Sequence, residues 1–287
     1  MWKDSYLVGV ETIDIKHKQL FGYVKELMEA LQKDVHADEY RAHISESINF
    51  LKDYTMMHFA EEEAYQKEIG YEDAAAHKVL HEKLKLDLAT YAFELVKTNF
   101  DRYVVKRFLG FIMTWLVHHI GSEDQQIPRG VKTTTYKHIE ENIIDLIAIK
   151  AVNVLKIITG MHDDEINYAI IETEPISTDI CYKVDFINAT KRGAGFVFSR
   201  KIAKGVLGAM ADIDMEKAVY ADYDEMVFSA MQEISDIISS KIAEVVREDD
   251  KMCSVDVPFR IDADMLPPSV DCVEISTKIG NLNIIIF

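Results

Sequence analysis

The sequence predicts two domains of different class: an all-α, up-down four-helix bundle, then an α+β domain with a mainly antiparallel sheet. Three observations predict this. The chain has 287 residues, a length that suits two ordinary domains. Its first part reads as four successive helical patterns with short connections, and its last part alternates helical and strand-like runs. Between them lies QIPRGVKTTTYKH, residues 126–138, polar and carrying a Pro, a Gly and three threonines. The domains are therefore expected at 1–128 and 139–287, with a short linker at 129–138.

The first helix is expected from about Ile13 to Leu31, with Leu20, Val24, Leu27 and Leu31 at helical spacing. The second is expected from about Asp38, read as its N-cap, to about Glu68. Gly70 marks a turn, and the third helix covers about Asp73 to Lys97. The fourth begins near Asp101, a second cap, and ends before Pro128. Short connections make neighbours antiparallel, and bundles of this kind place metal sites between facing helices.

Each of these helices carries ligand-type residues. His58 and Glu62 are four apart, as are His77 and His81, so each pair shares one helix face. Helix one adds His17, and helix four adds His119 and Asp124. That last spacing is five, about 140° round a regular helix. Asp124 reaches the same point only if the helix bulges or ends there. Five imidazoles and two carboxylates are too many for one tetrahedral zinc. They suit two octahedral first-row ions sharing the carboxylates, and imidazole with carboxylate suits iron. His36, His43, His138 and His162 have no partner at ligand spacing and are expected on the surface. His118 points about 100° from His119, and Glu61 and Glu63 are expected to face away from the metal.

This half resembles the bacterial hemerythrins. The matching segments are VGVETIDIKHKQLF, FLKDYTMMHFAEEE, the His77/His81 pair and WLVHHIGSED. The resemblance implies an oxo-bridged di-iron centre with dioxygen as its ligand. It assigns His77, His81 and His119 to one iron, His17 and His58 to the other, and Glu62 and Asp124 to the bridges. It makes Phe59, Trp115 and Ile120 candidates for a dry oxygen pocket. The histidine-rich set favours reversible oxygen binding over the oxygen activation of glutamate-rich di-iron bundles.

In the second domain a helix is expected from about Ile139 to Thr159. Strand-like runs follow at INYAIIET, DICYKVDFINA and GAGFVFS, then helices at about Lys201–Met210 and Asp222–Glu248. Three strands, CSVDVPFRID, VDCVEISTK and LNIIIF, close the chain. This order resembles the chemotaxis phosphatases of the CheX and CheC group. Their long helix carries a serine or acidic residue, then Glu four on and Asn three further. Here DEMVFSAMQEISDIISSK supplies Ser229 and Glu233, but Asp236 stands at the Asn position. The resemblance implies a CheY-like response regulator as partner, Glu233 and Asp236 as the catalytic pair, and pairing of two copies through this domain as an option. An amide both donates and accepts hydrogen bonds, whereas a carboxylate only accepts, so Asp236 puts the phosphatase activity in question.

A net charge of −17 argues against nucleic acid and anionic lipid as partners. No run of 18 or more apolar residues is present to span a membrane. The first residues lack a signal-peptide pattern. The three cysteines are far apart and are expected as reduced, buried thiols in a cytoplasmic protein. The expected whole is a cytoplasmic signal-transduction protein in which oxygen or redox state at a di-iron centre regulates a CheX-like domain. The alternative is a non-catalytic oxygen or iron binder whose second domain dimerises or docks a partner.

Overall fold

The computed structural model describes all residues except 33–36, 129–141, 172–179, 191–192, 216, 219–222, 248–249 and 268–270. The linker expected at 129–138 lies outside the described residues, as do His36 and His138. The chain divides into two compact units, Met1–Tyr136 and Lys137–Phe287. Each is described by itself.

The first unit is the expected bundle: α1 (Glu11–Gln32), α2 (Ala37–Glu68), α3 (Ala74–Lys97) and α4 (Arg102–His118). The apolar stripe of α1 is buried at Leu20, Val24, Leu27 and Leu31, against α2 and α4. Helix α4 is buried at every position from Phe108 to His118, as its nearly unbroken apolar run requires. Gly70 takes φ +67° between α2 and α3, a conformation that costs glycine little. The Asp101 side chain accepts the Tyr103 N–H and caps α4. Asp38 is no cap. Helix α2 already includes Ala37, so Asp38 lies in its first turn, where its charge favours the helix dipole. Helix four also outruns its α-helical part: a π-helical turn, His119–Glu123, and a 3₁₀ turn, Asp124–Gln126, continue it.

The second unit has α5 (Ile143–Thr159), α6 (Arg200–Ala211) and α7 (Asp224–Val246). Its strands are β1 (Ile166–Ile171), β2 (Ile180–Ile187), β3 (Gly193–Phe198), β4 (Ser254–Val255), β5 (Phe259–Ile261), β6 (Asp271–Thr277) and β7 (Gly280–Ile286). The sheet order is β1-β6-β7-β3-β2-β4, with β5 also on β2, and every pairing is antiparallel. Two expectations are corrected. Helix α5 starts at Ile143, not Ile139, because Asn142 is extended and its side chain accepts the Ile144 N–H. The run CSVDVPFRID is two short strands, because Pro258, without an N–H, cannot continue a ladder.

Helices α5, α6 and α7 pack on one another and on one sheet face. Tyr182, Val184, Phe196, Phe198, Leu282 and Ile284, at alternate strand positions, are buried, and the Tyr182 hydroxyl donates to the Phe228 carbonyl of α7 at 2.6 Å. The other face holds a smaller cluster of Cys181, Val197, Cys272 and Ile285, with Ile261, Leu266 and Phe287 packed against it. Gly280 has φ +123°, and a Cβ there would meet the Ser199 Oγ at 2.6 Å. That oxygen accepts from both Ile202 N, capping α6, and Asn281 N. All three cysteines are free and buried. Among the described residues no helix is long and apolar enough to cross a membrane.

Candidate metal centre

The structure brings His17, His58, Glu62, His77, His81, His119 and Asp124 together in the bundle interior. None is more than 4% exposed. The paired residues arrive as their spacing predicts. His58 and Glu62 project from one face of α2, and His77 and His81 from one face of α3. Residues His119 and Asp124 meet because the turn between them is π-helical, the Asp124 N–H bonding the His119 carbonyl. A five-residue turn brings residues five apart onto one side.

The donor atoms form two groups that share Glu62. One is Glu62, His77, His81 and His119; the other is His17, His58 and Glu62. Each carboxylate divides its oxygens between them. Glu62 Oε1 lies 2.9 Å from His77 Nε2, and Oε2 lies 3.3 Å from His58 Nε2. Asp124 Oδ1 is 3.0 Å from His119 Nε2 and 3.2 Å from His77 Nε2; Oδ2 is 3.2 Å from His17 Nε2. Inward nitrogens also face each other, at 3.1 Å for His17 and His58 and 3.1 Å for His81 and His119.

The two histidine–histidine contacts meet hydrogen-bond geometry, but most of the carboxylate contacts do not. Glu62 Oε2, both Asp124 oxygens and His77 Nε2 are fully buried with no hydrogen in line. Buried polar atoms are nearly always satisfied, and two desolvated carboxylates cost several kcal/mol each. Lone pairs pointing inward from two carboxylates and five imidazoles fit cations. Thiolate is absent and every donor is O or N, a set that suits iron.

Among protein charges alone the cluster splits. Burial, and then the neighbouring His17, pushes His58 down to about 4. Burial, and then His119, pushes His81 down to about 3. Burial opposes protonation of His17 and His77 too, but contacts with Asp124 and Glu62 outweigh it and raise them to about 9 and about 10. Burial opposes the charge on Glu62 and on Asp124. Glu62 is nevertheless held low, at about 2, by contacts with His17 and His77, and Asp124 well below the carboxylate range, chiefly by His119. The site thus stays anionic at its carboxylates.

Aromatic rings line the same region. Phe59 stacks on His81 at 3.8 Å between centroids, Trp115 stacks on His119 at 4.1 Å, and Ile120 is buried. The other histidines with described positions, His43 and His162, are exposed; His118 is buried.

Two residues that sequence reasoning missed touch the candidate ligands. Glu63, expected to face away, lies with Oε1 3.2 Å from His81 Nδ1, and Lys78 Nζ is 3.0 Å from its other oxygen. One step along α2 turns a side chain about 100°, away from the bundle interior but toward α3, where the outer nitrogen of His81 lies. Gln66 donates to Glu62 Oε1 at 3.0 Å. The only sequence signal was their spacing of four residues from Phe59 and Glu62.

In the second unit, Glu233 and Asp236 are both half-buried on α7, and Ser229 is buried. A spacing of three makes Glu233 and Asp236 neighbours on one face. The adjacent Gln232 donates to the Pro258 carbonyl at 2.9 Å.

The model of the hemerythrin HHE cation binding domain matches residues 8–127. A bacteriohemerythrin of Clostridium acetobutylicum is 31% identical over 126 residues, which are 44% of this chain and 96% of that protein. A bacteriohemerythrin of Pseudomonas aeruginosa is 32% identical over 124 residues, 43% of this chain and 76% of that protein. Among solved structures, the CheX–CheY–BeF3–Mg complex of Borrelia burgdorferi matches with TM-score 0.42 and 15% identity, over 50% of this chain and 97% of that one. The chemotaxis protein CheX of Vibrio vulnificus matches with TM-score 0.39 and 16% identity, over 50% and 97%.

Proposed function

The chain belongs to the hemerythrin family through its first half, and from that premise we propose that it is an oxygen- or redox-sensing signalling protein with a di-iron site. The observation that carries this reading is the buried convergence of five imidazoles around two carboxylates that each face both donor groups. In this reading His77, His81 and His119 would hold one iron and His17 and His58 the other, with Glu62 and Asp124 shared between them. Iron bound there supplies a redox-active centre with affinity for dioxygen. The protein's part is to position and to keep dry: Phe59 and Trp115 press flat on two ligand rings, and buried Ile120 adds apolar lining.

The second half of the proposal is that the α+β domain acts on the phosphorylated aspartate of a CheY-like response regulator. It rests on the α7 motif. Glu233 would pair with a basic group of the partner, and Asp236 would hold the water that attacks phosphorus, releasing phosphate and free aspartate. Positioning and charge stabilisation dominate such transfers. Asp236 itself favours a second reading, an iron or oxygen binder whose second domain docks a partner without hydrolysis, since a carboxylate cannot donate and repels a phosphoryl group. The domains are taken as 1–128 and 139–287, joined by residues 129–138.

The test is an absorption spectrum of the purified full chain, reduced and then exposed to air, with iron counted per chain. About two irons per chain and a visible band appearing in air support the di-iron reading; absence of iron, or zinc alone, overturns it. The lifetime of a phosphorylated response regulator, with and without oxygen, then separates the two readings. A shortened lifetime favours the phosphatase, and an unchanged one favours docking.

A further inference from the structure

The outward nitrogens of the ligand imidazoles are not treated alike. The His81 Nδ1 lies 3.2 Å from Glu63 Oε1, and Glu63 is itself held by Lys78 at 3.0 Å. The opposite case is His17, whose Nδ1 is fully buried and has no hydrogen-bond partner. A carboxylate behind a ligating imidazole fixes its tautomer and orientation and makes its inner nitrogen a better donor. An imidazole with nothing behind it has neither benefit. The two rings belong to different donor groups. Packing adds to the contrast, because Phe59 lies flat on His81, with an interplanar angle of 7°, while His17 meets His58 edge-on at 81°.

We propose that Glu63 is a positioning residue for His81, and that it makes the two metal positions unequal. The metal at His77, His81 and His119 is held tightly and released last. The metal at His17 and His58 is the weaker and leaves first. This rests on the di-iron reading. It goes beyond it in assigning the difference to a residue that is no ligand and is 21% exposed at its side chain.

The experiment uses the full chain, loaded anaerobically with ferrous iron, and follows release to the chelator ferrozine. Wild type should release iron in two phases of similar amplitude. Glu63→Gln should speed the slow phase on the order of tenfold and leave the fast phase alone. Glu63→Asp, which keeps the charge, should restore part of the difference. His17→Ala should remove the fast phase and keep the slow one. The unfolding midpoint of the iron-free protein should be the same in wild type and in the Glu63→Gln variant, since a purely structural role would shift it. A single phase in wild type, equal kinetics for Glu63→Gln, a lowered iron-free midpoint, or loss of the slow phase in His17→Ala would each overturn the proposal. A wild-type chain that takes up no iron overturns the di-iron reading as well, so the two failures are told apart.

Discussion

At the scale of single residues, the seven inward donors depend on each other, and each removal has a specific result. Asp124 faces both donor groups, so Asp124→Ala should lower bound iron from about two to at most one per chain, by elemental analysis. The result that sinks this is full iron content. Away from the site, Leu84 is fully buried in α3. Leu84→Ala should cost about 2–5 kcal/mol in denaturant unfolding, and a cost below about 1 would mean the bundle repacks freely there. On α7, Glu233→Ala should abolish any response-regulator phosphatase activity; an unchanged activity would place the site elsewhere. The convergence of the histidines was legible because four-residue spacing is a local property of a helix. Glu63 was not, because its contact with His81 depends on how α2 is rotated against α3, which no local pattern encodes.

At the scale of elements, the π-helical turn His119–Glu123 is the feature on which the site depends most. The five-residue spacing of His119 and Asp124 required some irregularity, so the sequence showed that one was needed. Its form, one wide turn continuing the helix and not an early end, came from the structure. Inserting one alanine after Ser122, which lies in that turn, should carry Asp124 about 100° further round the helix and off the site. The expected outcome is lost iron with helical circular dichroism retained; retained iron would show that the turn adapts. Ser199 has a comparable role in the other unit, since its oxygen caps α6 and accepts from β7. Ser199→Ala should cost about 1–2 kcal/mol, read as a shifted denaturation midpoint. Other boundaries were illegible for plain reasons. Pro258 interrupts an otherwise strand-like run, and the apolar pattern of α5 gave no sign that Asn142 would cap it.

At the scale of the whole molecule, the fold class was legible almost in full. Period-3.6 patterns and short connections gave the bundle, and alternating runs gave the antiparallel sheet under α5, α6 and α7. Two compact units predict two unfolding transitions. If iron binds the folded first unit as proposed, chelation should lower the first transition and leave the second in place. Calorimetry with and without a chelator checks this, and a joint shift would mean that the units unfold as one. The seven donors come from all four helices, from His17 near the start to Asp124 near the end. Ions seated among them would therefore cross-link a polymer loop spanning nearly the whole first unit. The three cysteines offer no such link, being free and buried. A sulfur cross-link, once made, persists through famine for any nutrient. One made by coordination lasts only as long as the metal supply, so protease resistance of this half of the chain should rise and fall with cellular iron.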